Sequence, residues 1–164
     1  MSADYNLEIE TQESMQKVAD VIAKVFNTSV NAGKTTLNLR TNGTYVYLQM
    51  RDAYGQQLIS ESYGICPNVL ATFEYYPDEG IEEGRHKISE AITALLNQVK
   101  GNTVLLYNGE ETMLQSVDGK IMLDQSWSEK GWLTAELSNS NLKHNVIKLN
   151  SPFLEPQVEE GQAA

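Results

Sequence analysis

Three dipeptides constrain this chain more than any other feature: Asn42-Gly43, Asn108-Gly109 and Asp118-Gly119 each separate short runs of strand-forming residues. A two-residue hairpin turn needs positive φ at both central positions, which Asn, Asp and Gly tolerate and most residues do not. Around the first dipeptide, Leu37-Asn38-Leu39-Arg40 precedes Tyr45-Val46-Tyr47-Leu48-Gln49-Met50. Around the others, Thr103-Val104-Leu105-Leu106-Tyr107, Thr112-Met113-Leu114-Gln115 and Ile121-Met122-Leu123 follow one another. A chain built this way is committed to antiparallel pairing.

Further segments extend the pattern. Tyr5-Asn6-Leu7-Glu8-Ile9-Glu10 alternates with period two and reads as an opening strand. Leu58 to Gly64 and Val69 to Tyr76 read as two more, the second bounded by Pro67 and Pro77, which cannot donate to a ladder. Trp132 to Leu137 and Asn145 to Leu149 are expected to prolong the second meander. Elsewhere the period changes to that of a helix. Met15, Val18, Ala19, Ile22, Val25 and Phe26 recur at three- and four-residue spacing, with Thr11 placed as a cap and Glu13 near the positive end. Ile88, Ala91, Ile92, Leu95, Leu96 and Val99 mark a second helix over 81–99, with Gly101 placed as its C-cap. The expected fold is α+β: a mainly antiparallel sheet of about seven strands carrying two amphipathic helices on one face. Residues 1–150 are expected to form one domain and 151–164, with Pro152, Pro156 and Glu159-Glu160, a flexible acidic tail.

Charge narrows the classes of partner. With 22 acids against 12 Lys and Arg, the net charge is -10. Nucleic acids and anionic lipids are bound through clustered cations, so neither is an expected partner. No window is apolar for the roughly 20 residues of a membrane helix, and Met1 to Glu10 carries acids where a signal peptide carries bases, so a cytosolic protein is expected. The single cysteine, Cys66, excludes an internal disulfide and reads as a buried thiol.

The candidates for chemistry are thin. Ala32-Gly33-Lys34-Thr35 looks like the end of a phosphate-binding loop, but Thr28 stands where that motif has its first glycine and a helix precedes it, so a surface loop is the better account. His86 and His144 lack second ligands at metal spacing. His86 has Glu82, Glu83 and Glu90 one helical turn away, a pattern common on solvated helices. No Gly-x-Ser-x-Gly elbow is present, and no catalytic residue, metal or cofactor is expected. What stands out is of another kind. Asp78, Glu79, Glu82 and Glu83 crowd the step from an aromatic strand end, Tyr75-Tyr76, to a helix start, where the helix dipole also favours them. Trp127 and Trp132 bracket the polar loop Ser128-Glu129-Lys130-Gly131. Carboxylates beside large rings suit a protein contact, and these eight residues are the candidate partner-binding set.

A resemblance adds to this reading. Asn68-Val69-Leu70-Ala71-Thr72-Phe73-Glu74-Tyr75, Ala94-Leu95-Leu96, Gly101 to Glu110, and Asp118 to Asp124 with Trp127 occur in one order, after an opening Asp4-Tyr5-Asn6-Leu7. Together they resemble the immunity proteins of myxobacterial Sit toxin-exchange systems, small cytosolic proteins paired with polymorphic toxins. Position 102 is Asn where the pattern has an acid, and the C-terminal part departs from it. The resemblance implies a non-enzymatic protein that neutralises a cognate toxin. An acidic inhibitor would be drawn fastest to a basic toxin, such as a nuclease. The alternatives are an acidic secretion chaperone for an effector, although such chaperones usually open with a helix, and a small hydrolase using His86 or Cys66.

Overall fold

The computed structural model describes residues 2–41, 43–76 and 81–154, leaving aside the side chains of 81 and 82. In chain order the elements are β1 (Ala3–Thr11), α1 (Met15–Phe26), β2 (Asn31–Ala32), β3 (Thr36–Thr41), β4 (Thr44–Met50), α2 (Ala53–Tyr63), β5 (Val69–Tyr75), α3 (Ile81–Gln98), β6 (Gly101–Tyr107), β7 (Glu111–Val117), β8 (Lys120–Asp124), α4 (Gln125–Glu129), α5 (Trp132–Asn139) and β9 (His144–Ile147). The strands form one sheet in the order β2-β3-β4-β5-β1-β6-β7-β8-β9. All pairs are antiparallel except β8 with β9, which run parallel. The α+β reading therefore holds, with nine strands and five helices among the described residues.

The opening strand is the centre of the sheet. β1 pairs with β5 on one side and β6 on the other, so Leu7 lies opposite both Ala71 and Leu105. It joins the two meanders that the Asx-Gly turns create. Asn108, Gly109, Asp118 and Gly119 all have positive φ, as hairpin turns of this kind require. Between β6 and β7 the register slips, Leu105 facing Leu114 but Leu106 facing Thr112, which leaves Met113 as a bulge residue.

Alternation gives the sheet two faces with different cover. Tyr5, Leu7 and Ile9 of β1, Val46 and Leu48 of β4, Phe73 of β5 and Leu105 of β6 face one side, where α1, α3 and α5 pack. The apolar stripe of α1 buries Val18, Ala19, Ile22 and Phe26 there, each large side chain contributing roughly 1.5–3 kcal/mol. α1 starts one turn later than Thr11 suggests. Ser14 is the cap, accepting from the Lys17 amide at 3.1 Å, while Thr11 stays in β1 and donates to the Lys100 carbonyl at 2.7 Å.

On the second face a smaller cluster forms, in which Ile59 of α2 and Ile65 pack on Val104 and Leu106 of β6, with Tyr63 and Phe153 beside them. Residues 58–64 are thus the end of a helix and not a strand. Asp52 caps α2 by accepting from the Gly55 amide at 2.7 Å, and Gly64, at φ 75°, ends it. Residues 132–137 are likewise helical, since Leu133 and Leu137, one turn apart, are the buried pair of α5. The expected final strand is present as β9 over His144–Ile147, but it joins β8 in parallel and so does not prolong the antiparallel meander. Gly101 is the first residue of β6 instead of a cap for α3. Cys66 is exposed, in the loop joining α2 to β5, where its amide donates to Glu10 at 2.6 Å. Of the expected tail, Ser151 and Phe153 are held by β7 and α2: the Ser151 hydroxyl accepts from the Thr112 amide, and the Phe153 ring meets Tyr63 at 5.7 Å. Residues 155–164 lie outside the described residues.

Candidate protein-docking face

The second face is covered unevenly. α2 and Phe153 shield its β6–β7 side, whereas Tyr45, Tyr47 and Glu74 are only partly buried and Arg40 and Tyr76 are exposed. Strand register brings these side chains together: Arg40 pairs with Tyr45, Tyr45 with Glu74, Tyr47 with Thr72, and Asp4 with Glu74. Residues directly opposite across antiparallel strands lie close enough for their side chains to interact. The result is a shallow concavity lined by Arg40, Thr41, Thr44, Tyr45, Glu74 and Tyr76.

Its contacts are well defined. The Arg40 guanidinium sits over the Tyr45 ring at 5.0 Å, and the Tyr45 and Tyr47 rings are 5.7 Å apart. The Tyr76 hydroxyl donates to Glu74 at 2.8 Å, and this bond is the main reason its pKa is raised. Burial, and then the facing Glu74 carboxylate, raise the pKa of Asp4. Burial also raises Tyr47, against the opposing effect of its hydrogen bond to Thr72. Two carboxylates, three tyrosine hydroxyls and one guanidinium therefore share one rigid surface, offering donors, acceptors and ring faces.

Of the residues singled out in the sequence, Tyr76 belongs to this face. Tyr75 does not: it is 1% exposed and points to the other side of the sheet, against the backbone of Gly84, where an added Cβ would stand 2.6 Å from its ring. Trp127 is also a core residue, its indole N–H donating to Glu111 at 3.0 Å, and Trp132 is half-buried beside it with ring centroids 6.5 Å apart. Glu83 is exposed on the first turn of α3. Asp78 and Glu79 lie outside the described residues, as does the side chain of Glu82. The sequence did not single out Asp4, Arg40, Tyr45, Tyr47 or Glu74. The available signal was aromatic side chains at the outward positions of β4, where a solvated strand would carry polar ones.

His86 contacts Glu90 at 2.8 Å on an exposed helix surface, and His144 bonds the Leu142 carbonyl two residues away. No group of three His, Cys, Asp or Glu side chains that could hold a metal is found among the described residues. Within the same residues no helix is long and apolar enough to cross a membrane.

Comparison with known proteins decides the family. A model of the SitI3-like family matches residues 3–131, from the start of β1 to the loop before α5. This chain belongs to the SitI3-like family. That agrees with the resemblance to Sit-type immunity proteins carried by its hairpin and helix motifs. The SitI3-like match takes in all of the open face, from Asp4 to Tyr76, and stops short of α5 and β9. No curated protein and no solved structure matches the chain.

Proposed function

We propose that this SitI3-like protein is an immunity protein that acts in the cytosol, where it binds a cognate toxin through the open face of β3, β4 and β5 and blocks it sterically. One observation carries the reading: the described helices leave open, on the β3–β4–β5 part of the second face, a patch rich in tyrosine with an arginine among the rings. Tyr and Arg are enriched at the energetic centres of protein interfaces: Tyr contributes a large contact area with few rotatable bonds, and Arg a planar fork of hydrogen-bond donors. Holding them on a sheet lowers the entropy cost of binding, since little has to be ordered. The charge of -10 supports a basic toxin, whose approach it would accelerate.

Co-expression of the chain with the toxin encoded beside it tests this. Growth is restored and the two proteins co-purify if the reading is right. Killing that is equal with and without the chain would refute it, and a bound but fully active toxin would point instead to a secretion chaperone.

A further inference from the structure

At the same end of the sheet as the open face, but on the opposite side, a second concavity is lined by Tyr5, Arg85, Tyr107, Trp127, Lys130 and Trp132. Its volume, about 330 Å³, is at the lower end of the range for small-molecule sites. Its walls are rings in mutual contact: Tyr5 meets Tyr107 and Trp132 at 5.6 Å each, and Tyr107 meets Trp127 at 5.0 Å. Two cations complete it. Lys130 lies 4.1 Å from the centre of the Trp127 ring, and Arg85 lies over Tyr75 at 5.7 Å, near enough to Tyr5 to oppose the rise that burial gives its pKa.

Neither cation forms an ion pair with another described side chain, although acids outnumber bases in the chain by 22 to 12. A carboxylate does reach the ring cluster, but Glu111 is the acceptor for the Trp127 indole and pairs with neither cation. Ring faces attract the charges without neutralising them, and a guanidinium offers five N–H donors to a ligand. A pocket with apolar walls and a small number of convergent polar groups is the usual form of a small-ligand site.

We propose that this pocket binds a small ring-bearing anion, its planar part against the aromatic walls and its carboxylate or phosphate between Arg85 and Lys130. This site is separate from the toxin-contact reading and does not depend on it. The chain's two tryptophans both line the pocket, so intrinsic tryptophan emission reports on it without background from elsewhere. The test is a titration of the full chain, without any toxin, with phenyl phosphate and with benzoate.

A saturable change in emission is expected for at least one of them, and the tighter of the two identifies the anionic group. Arg85→Gln and Lys130→Gln should each weaken it about tenfold or more. Both side chains are exposed, so melting temperatures of the variants should stay at the wild-type value. Benzylamine, of like shape and opposite charge, should give no saturable change. No saturable response to either anion, an unchanged midpoint in either variant, or benzylamine binding as well as the anions would each overturn the proposal.

Discussion

Glu8 lies in the middle of β1 and is 1% exposed, with the Arg51 Nε 2.7 Å from its carboxylate. The contact is close but poorly directed, since neither Glu8 Oε1 nor Arg51 Nε completes a well-aligned hydrogen bond. Burial therefore prevails over the attraction of Arg51 and pushes the carboxyl up to about 7 from an ordinary 4.5. A folded pKa above the unfolded one means that the folded state holds the proton more tightly. Its stabilising contribution is complete below the unfolded pKa and is lost as pH rises through about 7. Glu8→Gln is accordingly expected to be more stable than wild type at about pH 8, on the order of 2–3 kcal/mol, and nearly equal to it at about pH 4.5. Urea unfolding at the two pH values measures this, and a wild type that gains nothing relative to the variant on acidification would contradict it. Arg51→Met should widen the gap at the higher pH, because the carboxylate would then be buried without a countercharge. None of this was legible in the sequence, where Glu8 occupies an outward position of an alternating strand, yet the fold buries it beside Arg51.

Among the elements, those with a strong period were readable and those with a divided environment were not. α1 and α3 bury continuous stripes against one sheet face, and the sequence shows both. α2 buries only Gly55 and Ile59, while Tyr54 is 75% exposed and Leu58 36%. A helix that rests on its sheet through so little surface leaves almost no 3.6-residue pattern, and its Ile and Tyr residues suit strands as well. Its real signals were Asp52 as cap and Gly64 as stop. The seam between β1 and β6 makes a sharper expectation. Gly101 has φ 151°, and a Cβ there would stand 2.0 Å from the Glu10 carbonyl oxygen. Gly101→Ala must then push the two central strands apart, a loss of roughly 2–4 kcal/mol. Gly119, at φ 78° with open space around it, is the control: Gly119→Ala should lose only about 1 kcal/mol from backbone strain. Calorimetric melting separates the two, and equal losses would mean that the close approach at Gly101 is not what holds the seam.

For the whole molecule, the turn dipeptides and the periods revealed the class of fold, because each acts within a few residues. They also paired β3 with β4 and β6, β7 and β8 in series, but did not reveal that β1 joins the two meanders or which face stays open. Arg40, Tyr45, Tyr47, Glu74 and Asp4 come from four strands, and only the order β3-β4-β5-β1 collects them. The acidic net charge acts at this scale too. If the partner is basic, association should slow as salt rises, by about tenfold or more between roughly 50 mM and 500 mM, while dissociation changes little. Stopped-flow mixing with the toxin gives both rates, and an association rate indifferent to salt would remove charge steering from the account.

Whether the open tyrosine face makes the contact is read from the affinity of the purified toxin for three variants of the chain by titration calorimetry. Tyr47→Ala and Tyr45→Ala should each cost about 2 kcal/mol of binding, roughly a thirtyfold loss, with the fold intact by circular dichroism. Lys120→Ala, exposed at the β7–β8 turn, should bind as wild type. Wild-type affinity in both tyrosine variants would contradict the account.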